Sequence, residues 1–509
     1  MPAGSGTDPE DMEKAWSGRR GGVHGIVRSS VQGVGAAGIG ESIGLIGLSA
    51  GLAVLPILIA MGAAGGPAWS GLGSFIGELV DWLPLQNSSS GKAPSMSFEL
   101  ILGRRSAQRP AIGFLPRVAP EEGGLIAYAG EGHLMTFAPT GAGKTSGPVI
   151  CNALRHPGQL IVLDMKGEIC AKTARTRRAM GQEVHVLDLR DGAESGSLNP
   201  FDLMVRNGTD CAAIARSFAA ELIERGFQEN DRFWNDWSET MLTAGVTWLL
   251  ADRPAEARRM SALFDLFAAD DVDYHIATLL DEKDCVRHRA ARTAFASYLQ
   301  LPDSTTRPSV LASVLAHLRL FDSDLTRRLT NTSTMDIDAL VAGRPMTLYI
   351  IVPPPRLTAF RPLLRIWLSG LILAMTQRTV QPKTRTLMLC DEIGNLGRLD
   401  VLVTAATLLR SWGLTLWTFW QNVAQLQIYG AQANTLVDNA GVIQIFGVRN
   451  RRMAQDFVNL IGGISPEGIL SMRPDEQLLL IEGDLLRCRQ TRYYNDELFK
   501  TPPIAGDTH

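Results

Sequence analysis

The tightest constraint on this chain lies around residue 140. There the apolar run 133–138 (HLMTFA) passes without a spacer into Pro139-Thr140-Gly141-Ala142-Gly143-Lys144-Thr145-Ser146, and then into a helical stretch. Strand, glycine-rich loop and helix in that order let backbone N–H groups close around phosphate oxygens, with the helix N-terminus adding its positive end. Such a loop must be carried by a strand within a sheet and backed by a helix, which points to an α/β fold. Gly141 and Gly143 free the backbone to turn inward, Lys144 is placed to reach β and γ phosphates, and Thr145 to bring its hydroxyl to Mg²⁺. The strict pattern G-x-x-x-x-G-K-[ST] has glycine where this chain has Ala138, so an ordinary strand geometry is expected at that residue. The plain alternative, a glycine-rich turn with a chance lysine, loses ground because a matching second half of the site follows.

That second half is TLMLCDEIGNLGRL (386–399). Leu387 to Cys390 read as a buried strand ending in two carboxylates, Asp391 and Glu392. At the carboxyl end of a parallel strand they would sit beside the phosphate loop. Asp391 is then expected to hold Mg²⁺ through its water shell, and Glu392 to orient or deprotonate an attacking water. Alone, such a pair would more often be a helix cap.

Seven short apolar runs alternate with helical stretches: 133–138, 159–165, 183–189, 346–354, 386–392, 414–421 and 442–447. They predict a largely parallel sheet covered on both faces. Between about Gly208 and Gly343 no strand-like run occurs, and apolar residues recur three and four apart, so an all-helical insertion is expected there. The boundaries read as 1–97 for an N-terminal anchor and linker, 98–207 for the first half of the nucleotide-binding domain, 208–343 for the insertion and 344–509 for the second half. The net charge of −3 gives no global basic field. Six scattered cysteines lack metal-site spacing and read as buried thiols.

From Ser42 to Gly77 there is no charged residue, and 43–64 (IGLIGLSAGLAVLPILIAMGAA) is long enough to cross a bilayer, which takes about 20 apolar residues. A buried core helix and a signal peptide are the alternatives, the latter disfavoured by a start some forty residues into the chain. The segment 67–85 carries Glu78 and Asp81 with interfacial tryptophans and reads as an interfacial helix or half of a hairpin. One or two crossings both remain open.

With these motifs in place, the chain resembles the type IV coupling proteins, the TraG/TraD-like ATPases of conjugation, over about His133 to Phe499. The resemblance is carried by the phosphate loop, VLDMKGE (162–168), SLNPF (197–201), RFWNDW (232–237), DEIGNLGRL (391–399), the stretch 429–450 and MRPDEQLLLIEG (472–483). It implies a RecA-like ATPase with ATP and Mg²⁺ as cofactors, a homo-hexamer at the bacterial inner membrane with its motor facing the cytoplasm. Its implied partners are single- or double-stranded DNA, a relaxase-type nucleoprotein or effector protein, and type IV secretion channel components. It also implies that Arg410 enters the neighbouring subunit's ATP site and that Gln421 senses the γ-phosphate or positions water; without it, both would pass as ordinary surface or strand-end residues. Asp164, Lys166 and Glu168 are equally compatible with the nucleotide site and with a structural turn. The basic groups Arg449, Arg451 and Arg452, and 286–292 (VRHRAAR), read first as solvated faces. Rival readings are a chromosome-translocating pump, an exporter of effector proteins, and a membrane scaffold whose nucleotide serves only assembly.

Overall fold

The computed structural model describes residues 99–106, 123–204, 210–223 and 232–499; the expected membrane segments at 43–64 and 67–85 lie outside them. Among the described residues eleven strands follow one another: β1 (Leu100–Arg104), β2 (Leu125–Tyr128), β3 (His133–Phe137), β4 (Leu160–Asp164), β5 (Glu183–Asp188), β6 (Met346–Ile351), β7 (Thr386–Cys390), β8 (Leu414–Trp420), β9 (Ala440–Ile445), β10 (Glu476–Ile481) and β11 (Asp484–Arg489). They form one sheet in the order β2-β1-β11-β10-β9-β3-β8-β7-β4-β6-β5. The seven from β3 to β9 are the ones expected from sequence, and they pair in parallel.

Their near-continuous apolar sequences follow from coverage of both faces. Along β4, Ile161 and Leu163 enter one core, while Leu160 and Val162 enter the other. The same alternation separates Leu348 and Ile350 from Tyr349 and Ile351 on β6. The remaining four strands extend this sheet antiparallel from the free edge of β9. The β10–β11 hairpin closes through Glu482 and Gly483, whose φ values of 50° and 96° suit a two-residue primed turn.

On one face lie α1 (Ile150–Arg155), which continues a widened turn over Thr145–Val149, and α2 (Glu168–Ala179). Between β5 and β6 the described residues contain helices and no strand. There α4 (Arg232–Asp252) is the hub, packed by α3 (Cys211–Leu222), α5 (Arg289–Leu299) and α6 (Thr306–Leu318). Met241, Leu242, Val246 and Leu249 turn inward at helical spacing, which explains the apolar pattern of α4.

The other face of the sheet is covered by α7 (Leu357–Met375). The segment Pro354–Met375 is long and apolar enough to cross a membrane. Leu364, Trp367 and Leu371 are nevertheless wholly buried, and the Trp367 indole donates to the Leu198 carbonyl at 2.9 Å, so this is a core helix.

Candidate active site

Three adjacent parallel strands end at one place. β8 lies between β3 and β7, and their carboxyl ends are followed by Gln421, the phosphate loop and Asp391-Glu392 respectively. Ala138 has no left-handed backbone and is fully buried, as its departure from the strict pattern predicted, and its N–H donates to the Trp420 carbonyl at 2.9 Å. Pro139 takes the Ala142 N–H on its carbonyl at 3.2 Å, which closes the loop, while Thr140 and Gly141 stand exposed at its tip. Gly141 and Gly143 adopt φ of 78° and 100°, conformations that a side chain would strain. Gly447, at the end of the β9 run, has φ 72°, and a Cβ there would lie 2.5 Å from that of Ala142. The loop therefore rests on backbone alone at that point.

The Lys144 side chain is buried. Its ammonium donates to the Ala138 carbonyl at 2.6 Å and lies 3.6 Å from Glu392 Oε1. Thr145 Oγ1 donates to Asp391 Oδ2 at 3.3 Å. Asp391 Oδ1 is buried with no hydrogen-bond partner. Burial first, then the neighbouring Glu392 charge, push the Asp391 carboxyl up to about 6, against the pull of Lys144 and Thr145. An orphaned carboxylate oxygen beside a threonine hydroxyl is an oxygen-only donor set that fits Mg²⁺. Two protein ligands are too few for a closed cage, which suits an ion that shares its shell with phosphates.

Glu392 holds a left-handed backbone, φ 53°, unusual for a non-glycine residue. Its Oε2 accepts from the Gln421 amide at 2.6 Å and from Asn395 Nδ2 at 3.4 Å. Gln425 fixes the same corner: its Oε1 accepts the Gln421 N–H at 2.8 Å, and its amide packs where a Cβ on Gly394 would sit. Lys144, Thr145, Asp391, Glu392 and Gln421 thus converge. Asn395 and Gln425 were not expected; they follow the acidic pair and Gln421 by only three and four residues, but carry no distinctive pattern.

Arg410 is not brought to this site. It precedes β8, is largely exposed, and pairs at 3.7 Å with Glu131, which precedes β3. That is the opposite end of the sheet, about 20 Å away along a seven-residue strand. Asp164 resolves as a cap: its carboxylate accepts from the N–H groups of Lys166 at 3.3 Å, Gly167 at 2.8 Å and Cys170 at 2.9 Å, closing the turn into α2. Lys166 and Glu168 point to solvent. In the basic groups, Arg451 pairs with the exposed Glu467 at 2.9 Å, as solvated faces do, while Arg287 reaches the buried carboxylate of Asp252 at 3.4 Å.

One cation at the loop has no counterpart in the sequence reading. Arg492, beyond β11, donates through Nη2 to the Ala142 carbonyl at 3.1 Å and to Gln490 Oε1 at 3.0 Å, and through Nη1 to Ser146 Oγ at 3.3 Å.

A family model described as Type IV secretory system Conjugative DNA transfer matches residues 99–465. The conjugal transfer protein TraG of Escherichia coli is 23% identical over 356 residues, covering 66% of this chain and 54% of the relative. Protein VirD4 of Agrobacterium fabrum is 26% identical over 418 residues, covering 74% and 61%. The chain thus spans a little over half the length of the curated relatives it matches. Among solved structures, the unbound bacterial conjugative coupling protein TrwBdeltaN70 superposes with a TM-score of 0.57 at 16% identity, over 72% of this chain and 88% of that one. The plasmid coupling protein TrwB in complex with ADP and Mg²⁺ gives 0.54 at 17% identity, over 71% and 85%. With the mostly parallel sheet, these likenesses fit a RecA-like α/β fold.

Proposed function

The chain belongs to the type IV secretory system conjugative DNA-transfer family, and from that premise we propose that it is a membrane-anchored hexameric ATPase that drives DNA or nucleoprotein substrate toward a type IV secretion channel during conjugation. The observation that carries this reading is the meeting of Lys144, Thr145, Asp391, Glu392 and Gln421 at the carboxyl ends of three neighbouring strands.

In this reading the phosphate loop, 139–146, binds ATP through its backbone N–H groups, and Lys144 exchanges the Ala138 carbonyl for β and γ phosphate oxygens. Thr145 and Asp391 hold Mg²⁺, which supplies neutralising charge for phosphoryl transfer. Departure of the lysine releases Glu392 Oε1, which then accepts a proton from the attacking water while Gln421 fixes the direction of the carboxylate. Arg410 serves the next subunit. Its position across the sheet from its own site supports that role, since only a front-to-back contact between copies could bring it near a γ-phosphate. A repeated front-to-back contact forms a ring when its rotation closes, and the hexamer is such a closed case. The uncharged segment 43–64 supports anchoring in the bacterial inner membrane, with the ATP site on the cytoplasmic side.

The test is ATP turnover by the full chain in membranes, with and without single- and double-stranded DNA, for wild type and Lys144→Ala. DNA-stimulated turnover that disappears in the variant is expected. Nucleotide binding with no turnover under any condition would instead favour an assembly scaffold, and crosslinking during transfer would tell DNA from effector-protein cargo.

A further inference from the structure

Arg492 lies against the phosphate loop on the flank opposite Glu392. The strand order explains why: β8 and β7 stand on one side of β3, while β9, β10 and β11 stand on the other, and Arg492 arrives from beyond β11. The segment that carries it is held in place. Tyr493 N–H donates to the Ser146 carbonyl at 3.2 Å, and the Asp496 carboxylate receives both arms of Arg104, at 2.5 and 2.7 Å. A Cβ on Gly143 would stand 2.1 Å from Arg492 Nη1, so the guanidinium fills the space left by that missing side chain.

A guanidinium has five N–H donors. Among the described residues its three hydrogen bonds go to a carbonyl, a hydroxyl and an amide oxygen, all neutral, which leaves two donors over. Among the described residues no carboxylate lies within 4 Å of it. A half-buried cation with no anionic partner among the described residues, pressed on a loop built for phosphate, is matched by the charge of the ligand. With ATP bound as in the proposed function, Lys144, on the Glu392 flank, would take the reacting γ-phosphate end, which would leave Arg492, at Ala142 and Ser146, toward the other end of the chain of phosphates.

We propose that Arg492 contacts, within its own subunit, the α and β phosphates common to ATP and ADP, making the segment after β11 part of the nucleotide site. This rests on the nucleotide-site reading of Lys144 and its neighbours.

The test is equilibrium binding of fluorescent ADP and ATP to the full chain, for wild type, Arg492→Gln, Arg492→Lys and Lys144→Ala, together with the melting temperature of each nucleotide-free protein. Loss of a charge-assisted phosphate contact predicts that Arg492→Gln weakens ADP and ATP alike by roughly 10- to 100-fold. Arg492→Lys keeps the charge and is expected to recover part of that loss. Unchanged affinity in Arg492→Gln, with binding abolished in Lys144→Ala, would overturn this inference and leave the nucleotide site standing. Loss for ATP but not ADP would move the contact to the γ-phosphate and overturn it as well. A fall in nucleotide-free melting temperature with no recovery by lysine would reduce Arg492 to a brace for the loop. Failure of the wild-type protein to bind either nucleotide would remove the premise itself.

Discussion

Replacing Asp391 by asparagine isolates the electrostatic tension in the site. The carboxyl is buried beside Glu392 and its folded value is pushed up to about 6 from an ordinary 3.8, with burial the largest cause. Because the folded state binds this proton more tightly than the unfolded chain does, ionisation destabilises the fold. The penalty is absent below about pH 4, grows as pH rises to about 6, and is then constant. At about 1.4 kcal/mol per pH unit it reaches about 3 kcal/mol. Asparagine keeps the shape without the charge. In the absence of Mg²⁺ and nucleotide, Asp391→Asn is therefore expected to match wild type near pH 4 and to exceed its stability by up to about 3 kcal/mol at pH 8. Mg²⁺ with ADP should reverse the order, since the ion favours the charged carboxylate and the orphaned Oδ1 gains a partner. Melting curves of the full chain between pH 4 and 8, with and without Mg²⁺ and ADP, measure both effects. A gap between the proteins that ignores pH, or an asparagine variant less stable than wild type at pH 8 without the ion, would refute the reasoning.

Glu392→Gln should bind ATP close to normally while turnover falls by about 100-fold or more, because the amide cannot take the proton from water; parallel binding and turnover assays check it, and undiminished turnover would reassign the base. Asp164→Ala removes the acceptor of three amide N–H groups and should lower stability by about 1–3 kcal/mol while nucleotide affinity well below the melting point stays unchanged. A selective loss of affinity in that variant would return Asp164 to the nucleotide site. Gly143→Ala forces a side chain onto a φ of 100° and into the Arg492 guanidinium, so strain of about 1–3 kcal/mol should appear as weakened binding of ADP and ATP with the fold retained, read by titration and circular dichroism.

Much of this architecture was legible because burial on both faces writes itself into sequence: strands such as LIVLD and TLMLC have no polar face to disguise them. The charged centre was legible because each half is contiguous, a loop of eight residues and an acidic pair at a strand end. The antiparallel strands were harder to see. β11 reads DLLRCR, with charges at its ends and middle, because it has exposed positions where the central strands have none. Arg492 left no trace at all, since its contact with Ser146 spans 346 positions and no local pattern records it. Asp164 was ambiguous for a different reason: a carboxylate at the end of a parallel strand can meet either a phosphate-bound ion or the amides of the next helix, and only the direction of the side chain decides. The place of Arg410 across the sheet follows from its standing just before β8 in a parallel sheet, so chain order already put it at the end away from Gln421.

The hold of α1 on β1 has a mechanical meaning. Asn152, in the helix that continues the phosphate loop, uses its side-chain amide as a substitute strand, accepting the Ile101 N–H at 2.8 Å and donating to the Ile101 carbonyl at 2.9 Å. Tension entering the body at Glu99 would pass from β1 into that helix through these two bonds, about two turns from Lys144. A pull applied at Glu99 and the grip on a triphosphate would then share one lever, so that force applied to the chain at that point in an optical trap should alter how long the nucleotide stays bound.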